Sequence, residues 1–279
     1  MTDQVATFGR SKIQHGKHSN RAYLMSLSPD DLPAIIPYLD LLAITRGYSK
    51  IFAKIPVAAK QSFIQSGYEA EAAIPDFFQG EEEALFLGKY FSPERMEEKH
   101  PEVVEQTLEV ALEKPLLDGV PELEPHLSCR QMRSADTAQM TELYRQVFAS
   151  YPFPIHDELY LEQTMREDVI YFGIWEKDNL IALASAEVDR KGGNAEMTDF
   201  ATRPDYRGRG LANYLLAQTE RAARRRGVKT AYTIARAYSP GMNITFARNG
   251  YTFSGTLTHN TQISGKLESM NVWYKPLLS

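Results

Sequence analysis

The chain has 279 residues, 43% hydrophobic and 24% charged, with a formal net charge of −5. At about 150 residues per domain that length holds about two domains with cores of their own, and the composition excludes wholesale disorder. The negative balance argues against non-specific nucleic-acid binding, the single cysteine, Cys129, excludes a disulfide framework and a cysteine-cluster metal centre, and no apolar run reaches the ~18 residues of a membrane helix.

The first residues, MTDQVATFGR, carry no basic-then-apolar leader pattern, so the cytoplasm is the expected location. In chain order, His15 and His18 fall in a Gly/Ser-rich stretch that reads as a loop without metal-ligand spacing. Ser49–Ile55 reads as an apolar strand, followed by a short helix and Phe63-Ile-Gln-Ser-Gly67-Tyr68, and Leu85–Phe91 as another strand. Tyr68–Glu124 holds sixteen carboxylates against four basic residues. Within it Arg95–Lys114 has helical character, with Val103, Val104, Leu108 and Leu112 near helical spacing and a solvated acidic face. Pro115, Gly119, Pro121 and Pro125 mark an interdomain linker. The expected organisation is a smaller α/β domain over residues 1–92, an acidic helix and linker over 93–125, and a larger domain over 126–279.

Past the linker the elements alternate. Cys129–Arg133 is strand-like, and Thr137–Ala149 is helical, with Asp136 placed to cap it. Asp157–Glu167 is a second helix. Val169–Trp175 and Leu180–Val188 are strands around a Lys177-Asp178-Asn179 turn, and Arg190–Asn194 turns into a third strand, Ala195–Thr202. Gly210–Arg226 is a helix with Leu211, Tyr214, Leu215 and Ala222 along one face. Lys229–Ala235 is a strand, Gly241–Asn249 a short helix, and two more strands end near Lys275. This is an α/β fold with a central strand–turn–helix.

The stretch Asp199-Phe-Ala-Thr-Arg-Pro-Asp-Tyr-Arg-Gly-Arg-Gly-Leu-Ala212 carries the chemistry. A strand ends, a glycine-bearing loop follows, and a helix begins. Such a loop aims unpaired backbone N–H groups outward, and the helix N-terminus adds partial positive charge, which together suit a pyrophosphate. Gly208 and Gly210 let the backbone approach an anion closely, and Arg207 and Arg209 add formal charge. There is no Gly-Lys-Ser/Thr of a nucleotide P-loop, and no Gly-x-Gly-x-x-Gly followed by a ribose-binding carboxylate.

On Arg207-Gly-Arg-Gly210-Leu-Ala212, Pro204 before it, the helix after it and the Phe246-Ala-Arg-Asn-Gly250-Tyr251 ending, the chain resembles the GNAT superfamily of N-acetyltransferases. Ala195–Thr202, Lys229–Ser239, Gly241–Phe246 and Glu268–Lys275, with the earlier Ile13–Gly16, Asn20-Arg21 and Tyr48–Pro56, are similar to the beta-lysine N6-acetyltransferases within it. The resemblance implies a mixed, mostly antiparallel central sheet and acetyl-CoA as co-substrate, with no metal. It places the pantetheine arm on the backbone of Phe200, Ala201 and Thr202, with a backbone N–H there polarising the thioester oxygen, and the pyrophosphate on Arg207, Gly208, Arg209, Gly210, Leu211 and Ala212. It further implies a small diamino-acid acceptor, 3,6-diaminohexanoate, acetylated on N6 to give a compatible solute, with a lysine 2,3-aminomutase supplying it. Open alternatives are another amine (lysine, a polyamine or a protein lysine) and a CoA-binding module without catalysis. A homodimer is one open assembly.

A lysine-type amine has a pKa of ~10.4, so the enzyme must remove a proton before the amine can attack. Glu196 lies where some superfamily members carry a catalytic glutamate, and Asp199 is a partner for a substrate ammonium. Three apart, they point to opposite faces of a strand unless a bulge intervenes. The superfamily's usual general-acid tyrosine is Phe246 here, which leaves Tyr238 as the stand-in; Asn243 or Ser239 reaches the pantetheine. Arg236 is the candidate for the acceptor carboxylate, with Glu268 or Asp199 for its second amine.

The N-terminal part carries an echo of the C-terminal one. Ser49–Ile55, a short helix and Phe63–Tyr68 match Lys229–Ala235, a short helix and Phe246–Tyr251. Residues 1–92 are therefore expected to be a reduced GNAT-like half that lacks the CoA loop.

Overall fold

The computed structural model describes residues 3–263 and 265–277. The first part of the chain runs β1 (Gln4–Phe8), β2 (Ser11–Gly16), β3 (Arg21–Ser26), α1 (Ile35–Arg46), β4 (Lys50–Pro56), α2 (Lys60–Ile64), β5 (Glu69–Phe78) and β6 (Glu82–Tyr90). These strands form one sheet in the order β1-β2-β3-β4-β6-β5. Two helices, α3 (Pro93–Met96) and α4 (Pro101–Leu112), lead to the second part. It comprises β7 (Leu127–Gln131), α5 (Thr137–Val147), α6 (Glu158–Arg166), β8 (Val169–Glu176), β9 (Asn179–Asp189), β10 (Asn194–Thr202), α7 (Leu211–Arg225), β11 (Thr230–Arg236), α8 (Pro240–Arg248), β12 (Thr252–Ile263) and β13 (Lys266–Pro276). Its sheet has the order β12-β13-β11-β10-β9-β8-β7.

The order of the first sheet repeats that of six strands of the second, β8-β9-β10-β11-β13-β12. Each sheet has one parallel pair, β3 with β4 and β10 with β11, and each of those crossovers carries a helix, α1 or α7. The parallel pairs need such a crossover because a hairpin cannot connect strands that run the same way.

Helix α7 buries Leu211, Leu215, Leu216, Thr219 and Ala223. Those positions recur every three to four residues, so one stripe faces the second sheet while the arginines stay outside. Helices α5 and α6 cover the other face through Met140, Leu143, Tyr144 and Leu161.

Several local expectations are corrected. The first strand of the second sheet begins two residues earlier than expected, at Leu127, and the following helix stops at Val147. Asp136 does not cap that helix: its carboxylate accepts from the Arg133 N–H at 2.8 Å and pairs with Arg130 at 2.7 Å. His15 lies inside β2 rather than in a loop, because its ring is buried against the Tyr48 hydroxyl at 2.9 Å. Helix α4 buries Val104, Thr107 and Ala111, whereas Val103 and Leu112 are exposed. The threonine and alanine complete a stripe facing α8 that an all-aliphatic search misses.

The two halves are fastened directly. The Ser254 hydroxyl of β12 donates to the Ala73 carbonyl of β5 at 2.6 Å and accepts from the Ala73 N–H at 3.0 Å. Lys50 and Glu71 form a buried ion pair at 2.8 Å that also holds the backbone of Thr258. Next to them a Cβ on Gly255 would lie 2.1 Å from the Glu71 carbonyl oxygen. Backbone cannot yield as a flexible side chain does, so Gly255→Ala should lower stability by about 1–3 kcal/mol. Chemical denaturation checks this, and an unchanged midpoint would contradict the packing.

Candidate active site

The site follows from how β10 leaves β11. The two strands pair only at Asn194–Thr230, Ala195–Ala231 and Glu196–Tyr232, although β10 continues to Thr202 and β11 to Arg236. Beyond Glu196 they part. Their facing edges therefore offer backbone N–H and C=O groups that no neighbouring strand takes, a surface suited to an extended, amide-bearing arm. Thr198 and Phe200 line one side of this wedge, Ile234 and Arg236 the other. The wedge opens into a cleft of about 1290 Å³ between the halves, to which β3 and β4 contribute Arg21, Tyr23, Phe52 and Lys54.

The register builds a carboxylate cluster at the fork. Glu196 sits opposite Glu187 on β9 and Tyr232 on β11, so all three occupy one face of the sheet. Asp199 joins them through a bulge: the β10–β9 pairing slips between Thr198 and Ala201, and Asp199 adopts φ +54. A non-glycine residue in that region is strained. It is held there by the Ser185 hydroxyl at 2.6 Å and the Tyr151 hydroxyl at 2.6 Å, both donating to its carboxylate. The bulge thus brings Glu196 and Asp199 to the same cleft. Glu187 was not foreseen, because only the cross-strand register places it.

Burial raises the pKa of all three carboxyls. Glu187 is pushed up further by Glu196 and Asp199, whereas Lys54 and a hydrogen bond from Tyr232 partly offset the effect at Glu196. A carboxyl with a raised folded-state pKa holds its proton more tightly folded than unfolded. The resulting stability is present below the ordinary carboxylate range and is lost as pH rises through the raised value. The ligand-free protein should therefore lose stability as pH rises from the ordinary carboxylate range through these raised values. Glu187→Gln should flatten that slope and leave the protein more stable than wild type at its alkaline end. Denaturation midpoints across pH read this, and parallel profiles for the two proteins would contradict the cluster.

At the far end of β10 the loop Pro204–Gly210 leads into α7. Gly208 has φ +79, and Gly210, the residue at the helix N-cap, has φ +75. No side chain caps that helix, so its first-turn N–H groups are free to take an anion. A Cβ on either glycine would meet no protein atom within 4 Å; it would fill the space in front of the loop. Arg207 is exposed beside it. Arg209 stacks over Tyr206 and pairs with Glu124 of the linker at 2.7 Å.

Other expected site residues are placed differently. Asn243 is fully buried, and its amide is spent. Nδ2 donates to the carbonyls of Arg236 and Ser239 at 2.9 and 2.8 Å, and Oδ1 accepts from Asn271 and Trp273 at 3.0 and 2.9 Å. It fastens α8 to β11 and β13 and has no donor or acceptor left for pantetheine. Tyr238 donates its hydroxyl to Glu98, which also accepts from Ser269, so its proton points at the α3–α4 connection. Arg236 spends its fork on Glu268, at 2.7 and 2.8 Å, so these two neutralise each other instead of serving a carboxylate and an ammonium separately. Phe246 is buried at the wedge with its ring edge-on to Phe200. Burial pushes the Cys129 thiol up to about 11, which leaves it inert at neutral pH. Among the described residues no group of three or more His, Cys, Asp or Glu could hold a metal, and no helix is long and apolar enough to cross a membrane.

Residues 137–251 match the Acetyltransferase (GNAT) family. The chain is also similar, end to end, to the beta-lysine N(6)-acetyltransferase of Methanococcus maripaludis, with 33% identity over 98% of each chain. The chain belongs to the GNAT family of acetyltransferases. The beta-lysine N(6)-acetyltransferase of Methanosarcina mazei is 41% identical over 51% of this chain and 53% of its own. The N-acetyltransferase YodP of Bacillus subtilis is 33% identical over 80% and 78% respectively. This GNAT protein is an N-acetyltransferase, and acetyl-CoA is its co-substrate. The residues present fit that group: an uncapped helix start and two positive-φ glycines for the diphosphate, and two parted strand edges for the amide-bearing arm.

Proposed function

We propose that this acetyltransferase acetylates the N6 amine of beta-lysine, 3,6-diaminohexanoate. The observation that carries the reading is the convergence of Glu187, Glu196 and Asp199 at the fork of β10 and β11, inside a cleft walled by both halves of the chain. Three carboxylates in a walled cleft suit a small polycationic acceptor, whereas a protein lysine needs an open groove. The end-to-end similarity to a beta-lysine N(6)-acetyltransferase supports the same acceptor.

Acetyl-CoA supplies the acetyl group as a thioester. The amine enters as an ammonium drawn by the carboxylates. Glu196 takes its proton, directly or through a water, and its raised pKa makes it a better base than an exposed glutamate. Asp199 and Glu187 retain the second ammonium. Backbone N–H groups at Phe200–Thr202, on the parted edge of β10, orient and polarise the carbonyl that is attacked. The loop Arg207–Ala212 anchors the diphosphate. As the C–N bond forms the C–S bond breaks, and CoA leaves as a thiolate that takes up the second proton lost by the attacking nitrogen, through solvent; the acid role considered for Tyr238 is not retained, since its hydroxyl is engaged by Glu98.

Acetylation converts an acceptor with two ammonium groups and one carboxylate into a net-neutral zwitterion, the charge state expected of a compatible solute. A lysine 2,3-aminomutase reaction is the fitting source of the acceptor, and the cytoplasm the fitting place. The repeated strand order supports reading residues 1–92 as a reduced GNAT-like half. Its β3–α1 connection carries Pro29 and Pro33 and no glycine, which fits a half without a CoA loop.

Thiol release with beta-lysine, lysine, polyamines and a histone-like peptide tests the reading. The highest kcat/KM should fall on beta-lysine, with the acetyl group on N6. A preference for the peptide, or tight CoA binding without turnover of any amine, would overturn it.

A further inference from the structure

We propose that Arg21, from the N-terminal half, is the residue that binds the acceptor's carboxylate, so that the first sheet reads the acid end of the substrate while the second performs the transfer. This rests on the diamino-acid reading above.

Arg21 begins β3 and lines the cleft, yet it is only 4% exposed. Its guanidinium lies over the rings of Tyr23 and Phe52, 5.2 and 5.7 Å from their centroids. Its hydrogen bonds both come from Nη1, to the Asn260 carbonyl at 2.6 Å and the Thr261 hydroxyl at 3.1 Å. Nε is buried without a partner, and no carboxylate among the described residues forms an ion pair with it. A desolvated guanidinium with no anion costs stability unless a ligand supplies one, and its Nε–Nη2 edge is the fork that fits a carboxylate.

Of the other cations that line the cleft, Lys12 and Lys191 are exposed to solvent and Arg10 pairs with Asp30 at 3.0 Å, whereas Arg236 and Lys54 are engaged inside it. Arg236 holds Glu268 with its fork. Lys54 donates to the Tyr232 hydroxyl at 3.0 Å and stands beside Glu196, at the reacting end. Arg21 and Glu196 line the same cleft from different halves without pairing, and each charge acts on the other. One wall then binds an anion and the other binds cations, the polarity of a substrate with a carboxylate at one end and an amine at the other.

The test compares 3,6-diaminohexanoate with 1,4-diaminopentane, which is the same molecule without its carboxylate. Wild type should favour the acid. Arg21→Met, which keeps the apolar stem over the rings, should lower kcat/KM for the acid by about 100-fold and leave the diamine within about threefold, with the CoA Kd unchanged. Arg21→Lys, which keeps the charge but loses the fork, should lie between them and carries the test if the methionine variant does not fold. An equal loss on both substrates would make Arg21 merely structural and overturn the proposal. So would a wild type that treats acid and diamine alike, although amine acetylation itself would then stand. Failure of wild type on both amines would instead remove the acceptor reading, and this inference with it.

Discussion

Replacing Glu196 by Gln is expected to lower kcat/KM for the diamino acid by about 100-fold or more at neutral pH, the usual worth of a positioned base. The side chain keeps its shape and can still accept from Tyr232, so CoA affinity and fold should be unaffected. The pH profile separates base from bystander. Burial raises the Glu196 pKa, so wild-type activity should fall as pH drops through that raised value, because the protonated carboxyl cannot take the ammonium's proton. The glutamine variant should lose that acidic limb and recover part of its rate at high pH, where more of the acceptor arrives already deprotonated. An unchanged rate and profile would take the role from Glu196 and leave Asp199 or Glu187 to be tested in the same way.

Gly210→Val should weaken CoA binding by about 10- to 100-fold while sparing most of the fold. A left-handed conformation costs an ordinary residue about 1–2 kcal/mol, and a branched side chain suits it least. Gly210 holds φ +75 at the start of α7, and a Cβ there would stand in front of the free amides and not against protein. The loss should therefore appear in the CoA Kd by titration far more than in the denaturation midpoint. Equal CoA affinity in the two proteins would mean that the diphosphate does not rest on this turn.

What the sequence made legible was local chemistry. The strand–glycine loop–helix around Arg207–Ala212 could be read because positive φ and a helix start require those residue types within a few positions. The echo between Ser49–Tyr68 and Lys229–Tyr251 likewise pointed to the shared β–α–β order. Features fixed by pairing across the chain were not legible. Glu187 belongs to the site only because β9 and β10 register it against Glu196, and Asp199 shares that face only because a bulge displaces it. Arg21 is brought to the cleft by the packing of one half on the other, about which its local pattern says nothing. Asn243, Tyr238 and Arg236 were plausible ligands by type and position, but buried polar groups must find partners, and these found Trp273, Glu98 and Glu268 inside the protein.

The central claim is that the parting of β10 from β11 is where the thioester and the amine meet. A crystal structure of the complex with CoA and 3,6-diaminohexanoate tests it most directly. The diphosphate should lie on the amides of Gly208–Ala212, the sulfur between the parted strands near Glu196, and the N6 amine within hydrogen-bond reach of the Glu196 carboxylate. CoA seated away from that loop, or the acceptor bound outside the cleft between the halves, would contradict it.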